Sequence, residues 1–274
     1  MVTGASRGAG KGIALALGQA GATVYVTGRS AHPGDSPYVG TVGETAALID
    51  EAGGVGVPVA LDHAEDTAVA DLFARVAREH GRLDILVNNA AKLAPAKPGG
   101  FWNNPLDMAD LITVGLRSHY VAAYHAAPLL IANARGLIVN TSHYGAVAYF
   151  QGPAYGAQKA GSDKMAADMA KELRPHHVAA VSIWMGGLLT ERAAAHLASL
   201  PPQDRPNVKR ESPQFTGRVI AALYAQHDMM SYSGRTLIGA ELGSQLGVTD
   251  IDGTVPPSLR DQLGAPPEPH HTLR

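Results

Sequence analysis

Tyr155 and Lys159 stand four residues apart in Ala154-Tyr155-Gly156-Ala157-Gln158-Lys159. On a helix that spacing puts both side chains on one face. A phenol titrates near pH 10 in water, too high for acid–base work near neutrality. A neighbouring ammonium favours the phenolate and commonly lowers such a pKa by about 1–3 units. The pair could then give a proton to a carbonyl oxygen or take one from an alcohol. Tyr-x-x-x-Lys alone arises by chance roughly 0.2 times in such a chain, and requiring Ser142 at its upstream offset cuts this to roughly 0.01. Ser142 closes the apolar run Gly136-Leu137-Ile138-Val139-Asn140-Thr141-Ser142 and could hold the same oxygen by a hydrogen bond. The alternative is a tyrosine packed in the sheet and a lysine in solvent.

A second motif opens the chain. Thr3-Gly4-Ala5-Ser6-Arg7-Gly8-Ala9-Gly10 is a glycine-rich turn that runs into a helical pattern whose buried face is supplied by Ile13, Leu15 and Leu17. Glycines let backbone approach a phosphate, and the free N–H groups of a helix's first turn face that anion. Such a turn follows a strand, yet only Met1 to Thr3 precede it here. The first strand is expected to be abbreviated, with the true start upstream.

These residues need elements to hold them. The runs 22–27, 55–61, 85–87, 136–141 and 178–184 read as buried strands, and 67–80, 106–133 and 155–173 carry apolar residues at helical spacing. Strand–helix alternation predicts an α/β fold: a doubly wound, Rossmann-like parallel sheet with helices on both faces, in one domain over 1–274. Residues 31–43 form a polar Pro- and Gly-rich insertion, 188–212 an irregular lid, and 256–274 a Pro-rich tail.

Composition narrows the function. The chain of 274 residues is 46% hydrophobic, with 22 Lys and Arg against 24 Asp and Glu, a net charge of −2. That balance offers no global field for nucleic acid. The absence of cysteine excludes a disulfide scaffold, Cys-ligated zinc and thiol catalysis. No run of about 18 apolar residues exists to span a bilayer, and the opening residues lead one to expect no secretory signal. The 12 histidines form no metal-binding pattern, so no metal is expected. A cytoplasmic protein fits these features.

Taken together, the motifs resemble the short-chain dehydrogenase/reductase family over nearly the whole chain. The glycine turn is similar to the family's TGxxxGxG, and Asn88-Asn89-Ala90 to its NNAG signature, with Ala91 in place of the last Gly. Ser142, Tyr155 and Lys159 match its catalytic set, and Thr190 the Thr after its Pro-Gly motif. Residues 22–29, 81–90, 114–117, 231–236 and 250–253 resemble the dehydrogenase/reductase member 1 subgroup. The resemblance implies hydride transfer between a nicotinamide and a carbonyl or alcohol. It also implies cofactor contacts from Gly4, Ser6, Arg7, Gly8, Ala9, Gly10, Asp62, Asn88, Ala90, Gly186 and Thr190, with Lys159 on the nicotinamide ribose beside Tyr155. A homodimer or homotetramer through the helices that contain Gly115 and Tyr155 follows from the same likeness. Two positions depart. The family's fourth catalytic residue, an Asn, corresponds to Gly115, and its Pro-Gly is Met185-Gly186. Gly115 motivates an alternative, a nucleotide-binding regulator with little or no turnover.

Cofactor preference is set where the second strand of such a fold ends. An acid there bonds the ribose 2′-OH, and a cation suits a 2′-phosphate. This chain has Arg29, with Arg7 as a second cation, which predicts NADP(H) over NAD(H). The substrate side is expected to draw on the segment after Ala91, on 143–151 and on the lid. Phe101, Trp102, His143, Tyr144, Tyr149, Phe150 and Trp184 favour an apolar carbonyl or alcohol.

Overall fold

The glycine turn does start a helix. In the computed structural model, which describes residues 1–92, 94, 97–206, 209–268, 270 and 272, the chain runs α1 (Gly8–Gln19), β1 (Thr23–Gly28), α2 (Val42–Glu51), β2 (Val55–Ala60), α3 (Asp66–His80) and β3 (Ile85–Asn88). It continues through α4 (Asp110–Ile112), α5 (Ser118–Ala132), β4 (Gly136–Ser142), α6 (Pro153–Leu173) and β5 (Val178–Trp184). The last elements are α7 (Glu191–Ser199), α8 (Phe215–Ala225), β6 (Thr236–Ile238), α9 (Gly239–Gln245) and α10 (Arg260–Leu263). Parts of the segment after Ala91 (93, 95 and 96), of the lid (207 and 208) and of the tail (269, 271, 273 and 274) lie outside the described residues.

The chain divides into two units. The first comprises Met1–Leu61, Met185–Ala225 and Gly239–Ser258. Here β1 and β2 pair in parallel, Thr23 opposite Val55 and Gly28 opposite Ala60. The expected first strand is a single bridge, Val2 to Val26. Helix α1 packs on α8, and α2 covers β1 and β2. A capping box starts α2: the Thr41 hydroxyl accepts from the Glu44 N–H, and the Glu44 carboxylate from the Thr41 N–H. The helix therefore begins inside the segment read as irregular insertion. A second expectation also fails. Residues 55–61 read as a buried strand, but every residue of β2 is exposed or half-buried and Val55 is 53% exposed. Among the described residues β2 pairs only with β1, and Pro58 in its middle is tolerated because edge strands can turn a proline nitrogen to solvent.

The second unit comprises Asp62–Trp184, Gln226–Ile238 and Leu259–Arg274. Its sheet is parallel in the order β3-β4-β5-β6. Strands β4 and β5 are buried at every residue, as continuous apolar runs require, and pair in register from Gly136–Val178 to Ser142–Trp184. Helix α6 packs on both of them, and α5 lies against β3 and β4. The single long helix expected over 106–133 is interrupted. A 3-10 turn (Leu106–Ala109) and α4 lead into a π turn, Thr113–Arg117, before α5 begins. Among the described residues no helix is long and apolar enough to cross a membrane.

Candidate active site

Tyr155 lies in the first turn of α6, two residues after Pro153, whose fixed φ suits a helix start. Its ring leans on Gly145, where a Cβ would collide with it. Lys159 follows one turn later, 6% exposed, with Nζ 5.6 Å from the Tyr155 ring centroid. That ammonium donates to the Thr141 carbonyl at 3.2 Å. Ser142, fully buried at the end of β4, donates through Oγ to the Lys159 carbonyl at 3.3 Å. The second unit thus gathers all three expected acid–base residues.

Their protonation differs from the sequence expectation. Burial pushes the Tyr155 phenol up to about 12 rather than down, and pulls the Lys159 ammonium down to about 8. Both shifts have the same cause: each charged form loses its water. Nor does the ammonium meet the phenol oxygen here; it sits over the ring and is held by Thr141.

Around the trio stand Asp163 and His119, which sequence reasoning missed, and His143, which it placed on the substrate side. Asp163, one turn beyond Lys159, accepts from Ser182 Oγ at 2.6 Å and from Trp184 Nε1 at 2.8 Å. Burial raises its carboxyl, while the Lys159 charge pulls the other way. His119 on α5 meets the Ala90 carbonyl through Nε2 at 3.0 Å, and burial lowers it to about 3. His143 is lowered to about 4 by burial, then by Lys159, and its ring stands 6.1 Å from that of Tyr155. Both imidazoles are therefore neutral near pH 7.

Asn88 and Ala90 serve the framework of this unit. Asn88 Nδ2 donates to the His119 carbonyl and to Asn140 Oδ1, whose own amide reaches the Ser162 carbonyl. This buried ladder ties β3, β4 and α6. The Asp62 carboxylate accepts from the Ala64 N–H at 2.9 Å. Of the aromatics expected to line a pocket, Tyr144 and Trp184 are instead core, 1% and 0% exposed with ring centroids 5.0 Å apart. Phe101, Trp102 and Tyr149 are exposed.

The first unit carries the glycine turn. Gly4 and Gly8 adopt φ of +64° and +59°, open to glycine with little penalty. The Gly8 N–H, at the N-terminus of α1, donates to the Glu191 carboxylate at 2.8 Å. The turn thus presents a backbone N–H to an oxyanion, the kind of group a phosphate would offer. Ser6 and Gly10 are buried beside Ala9 in the same turn. Thr190 caps α7, accepting from the Ala193 N–H at 3.2 Å, and its methyl group lies against Gly8. Arg7 is committed to the insertion, donating to Ser30 Oγ at 2.8 Å, to the Gly40 carbonyl at 2.6 Å and to the Val39 carbonyl at 3.0 Å. Arg29 is exposed. Gly186 donates its N–H to Glu211 at 3.2 Å, and burial pushes that carboxyl up to about 7.

The pattern of the short chain dehydrogenase family matches residues 1–199. The chain is 39% identical over 267 residues to human dehydrogenase/reductase SDR family member 1, covering 92% of this chain and 83% of that protein. It superimposes on a putative dehydrogenase from Xanthomonas campestris with a TM-score of 0.78 at 27% identity, covering 94% of this chain and 95% of that one. A metagenomic short-chain oxidoreductase solved with NADP gives a TM-score of 0.68 at 31% identity, covering 86% of this chain and 94% of that one. With parallel sheets, a glycine turn leading into α1 and Tyr155, Lys159 and Ser142 gathered at the end of β4, the chain belongs to the short-chain dehydrogenase/reductase family of oxidoreductases, with its Rossmann-like α/β fold.

Proposed function

We propose that the protein is an NADP(H)-dependent oxidoreductase that interconverts an apolar carbonyl compound and its secondary alcohol. The observation that carries this reading is the placement of the Lys159 ammonium 5.6 Å from the centre of the Tyr155 ring, with Ser142 bonded to the same turn of α6. In carbonyl reduction the Tyr155 hydroxyl gives its proton to the substrate oxygen, and Ser142 holds that oxygen by a hydrogen bond. In alcohol oxidation Tyr155 takes the proton back. Lys159 stabilises the phenolate formed between these events, which lowers the cost of releasing a proton from a group pushed up to about 12.

The nicotinamide supplies or accepts the hydride when it is bound. Gly4, Ser6, Gly8, Ala9 and Gly10 would receive its phosphates, and the Gly8 contact with Glu191 supports an anion at that turn. Arg29 would favour the 2′-phosphate, and by family likeness Gly186 and Thr190 would hold the nicotinamide end. Asp62, Asn88 and Ala90 are assigned to the cofactor by family likeness. NADP in the metagenomic relative agrees with this choice. Assembly into a homodimer or homotetramer is supported by Tyr120 and Tyr124, exposed one turn apart on α5.

NADPH consumption over a panel of apolar ketones tests the reading, with Tyr155→Phe as control. Turnover by the wild type and its loss in the variant is the expected result. Equal rates for the two proteins would overturn it in favour of a nucleotide-binding regulator.

A further inference from the structure

Gln158 is spent on neither proton transfer nor cofactor in the function proposed above, yet it is 1% exposed and adjoins Lys159. Its side chain leaves α6 towards the π turn. A π turn carries one residue more than an α turn and breaks the regular pairing of carbonyls with helical donors. Inside this one, the Gly115 carbonyl accepts from Gln158 Nε2 at 3.3 Å. Any side chain at 115 would need the volume that the Gln158 amide fills. The fit is reciprocal, because a Cβ at Gly161 on α6 would collide with Leu116 from the π turn. Each segment thus offers a glycine to receive the other's side chain.

With Nε2 spent on Gly115, Gln158 Oε1 is left buried and without a hydrogen-bond partner among the described residues. An orphaned buried acceptor costs about 1–3 kcal/mol, and such groups persist mainly where something other than stability retains them. The turn that Gln158 anchors is the one that needs anchoring. Tyr155 sits in the first turn of α6, where the leading N–H groups lack helical acceptors, and proton transfer tolerates little displacement of the hydroxyl. On one side Ser142 ties the Lys159 carbonyl; on the other Gln158 ties the π turn.

We propose that Gln158 is a positioning residue for Tyr155 and Lys159, bracing the first two turns of α6 against the Gly115 carbonyl. This rests on the oxidoreductase reading for its kinetic consequence but not for the brace itself. Gln158→Met keeps the volume and removes the amide. We expect kcat to fall about tenfold or more while KM for NADPH stays within twofold, and amide hydrogen exchange to quicken over residues 113–117 and 155–162. Gly115→Asn combined with Gln158→Ala moves an amide to the facing position and is expected to recover at least half of the lost kcat. A Gln158→Met protein with kcat within twofold of wild type and unchanged exchange overturns the proposal, as does a double variant no better than Gln158→Ala alone in kcat and in exchange over residues 113–117. If the wild type turns over no ketone, the functional reading fails while the exchange measurement still decides the brace. If Gln158→Met does not fold, the double variant carries the test.

Discussion

The Gly8 N–H and the Glu191 carboxylate meet at 2.8 Å, so the anion seat of the glycine turn is filled by a side chain of the chain itself. Lys11 lies 3.8 Å from the same carboxylate. On the proposed function an incoming phosphate would have to displace a charge-assisted hydrogen bond, worth about 1.5–3 kcal/mol where well formed and less at this half-exposed site. Glu191→Gln is expected to tighten NADPH binding about three- to tenfold, measured by fluorescence titration. Unchanged or weaker binding would count against this competition.

Arg29 and Arg7 are expected to serve the nucleotide in different ways. Arg29 is exposed, and Arg29→Asp is expected to raise KM for NADPH more than tenfold while leaving KM for NADH level or lower. Arg7 tethers Val39, Gly40 and Ser30, so Arg7→Ala is expected to weaken both nucleotides. Steady-state kinetics with the two cofactors check this, and a uniform effect of Arg29→Asp would remove the argument for NADP(H).

Lys159 strains the fold that carries it. Burial holds its folded-state pKa near 8 against an ordinary 10.5, so the unfolded chain binds the extra proton between those values. Stability should therefore rise with pH from about 8 to 10.5, and the charged form costs up to about 3 kcal/mol at neutrality, partly offset by Asp163. Lys159→Met is expected to raise the thermal midpoint at pH 7 and to abolish turnover, its advantage vanishing near pH 11. A lower midpoint at pH 7 would show that Asp163 more than compensates.

Glu211 acts in another window. Burial, reinforced by Asp250, pushes its carboxyl from 4.5 up to about 7, so the folded chain keeps a proton that the unfolded chain releases. Its contribution is full below pH 4.5 and is lost as pH rises to 7, up to about 3 kcal/mol. Glu211→Gln stays neutral throughout, and calorimetry from pH 5 to 7.5 should find its midpoint gaining on that of the wild type. Parallel curves would exclude Glu211 as the source.

Local signals were readable and distant ones were not. The apolar runs of β1, β4 and β5, and the Tyr155–Lys159 spacing, announce themselves within a few residues. The capping box of Thr41 and Glu44 was equally legible but lay behind a Pro- and Gly-rich stretch. Pro58 could have marked β2 as an edge. Strand β6 has three residues, too few for any pattern. The π turn and the Gly115–Gln158 tie join positions 43 residues apart, and Gly8–Glu191 positions 183 apart, so only folding reveals them. The direction of the Tyr155 shift also escaped, because spacing shows a neighbouring charge but not the loss of water around it.

Pro58 has one more effect. The outer margin of β2 is where a strand from another molecule could add itself, and there the ladder of donors lacks a rung. A sheet built this way resists growing into an aggregate, so a change of Pro58 to a β-branched residue would trade that safeguard for a stickier rim.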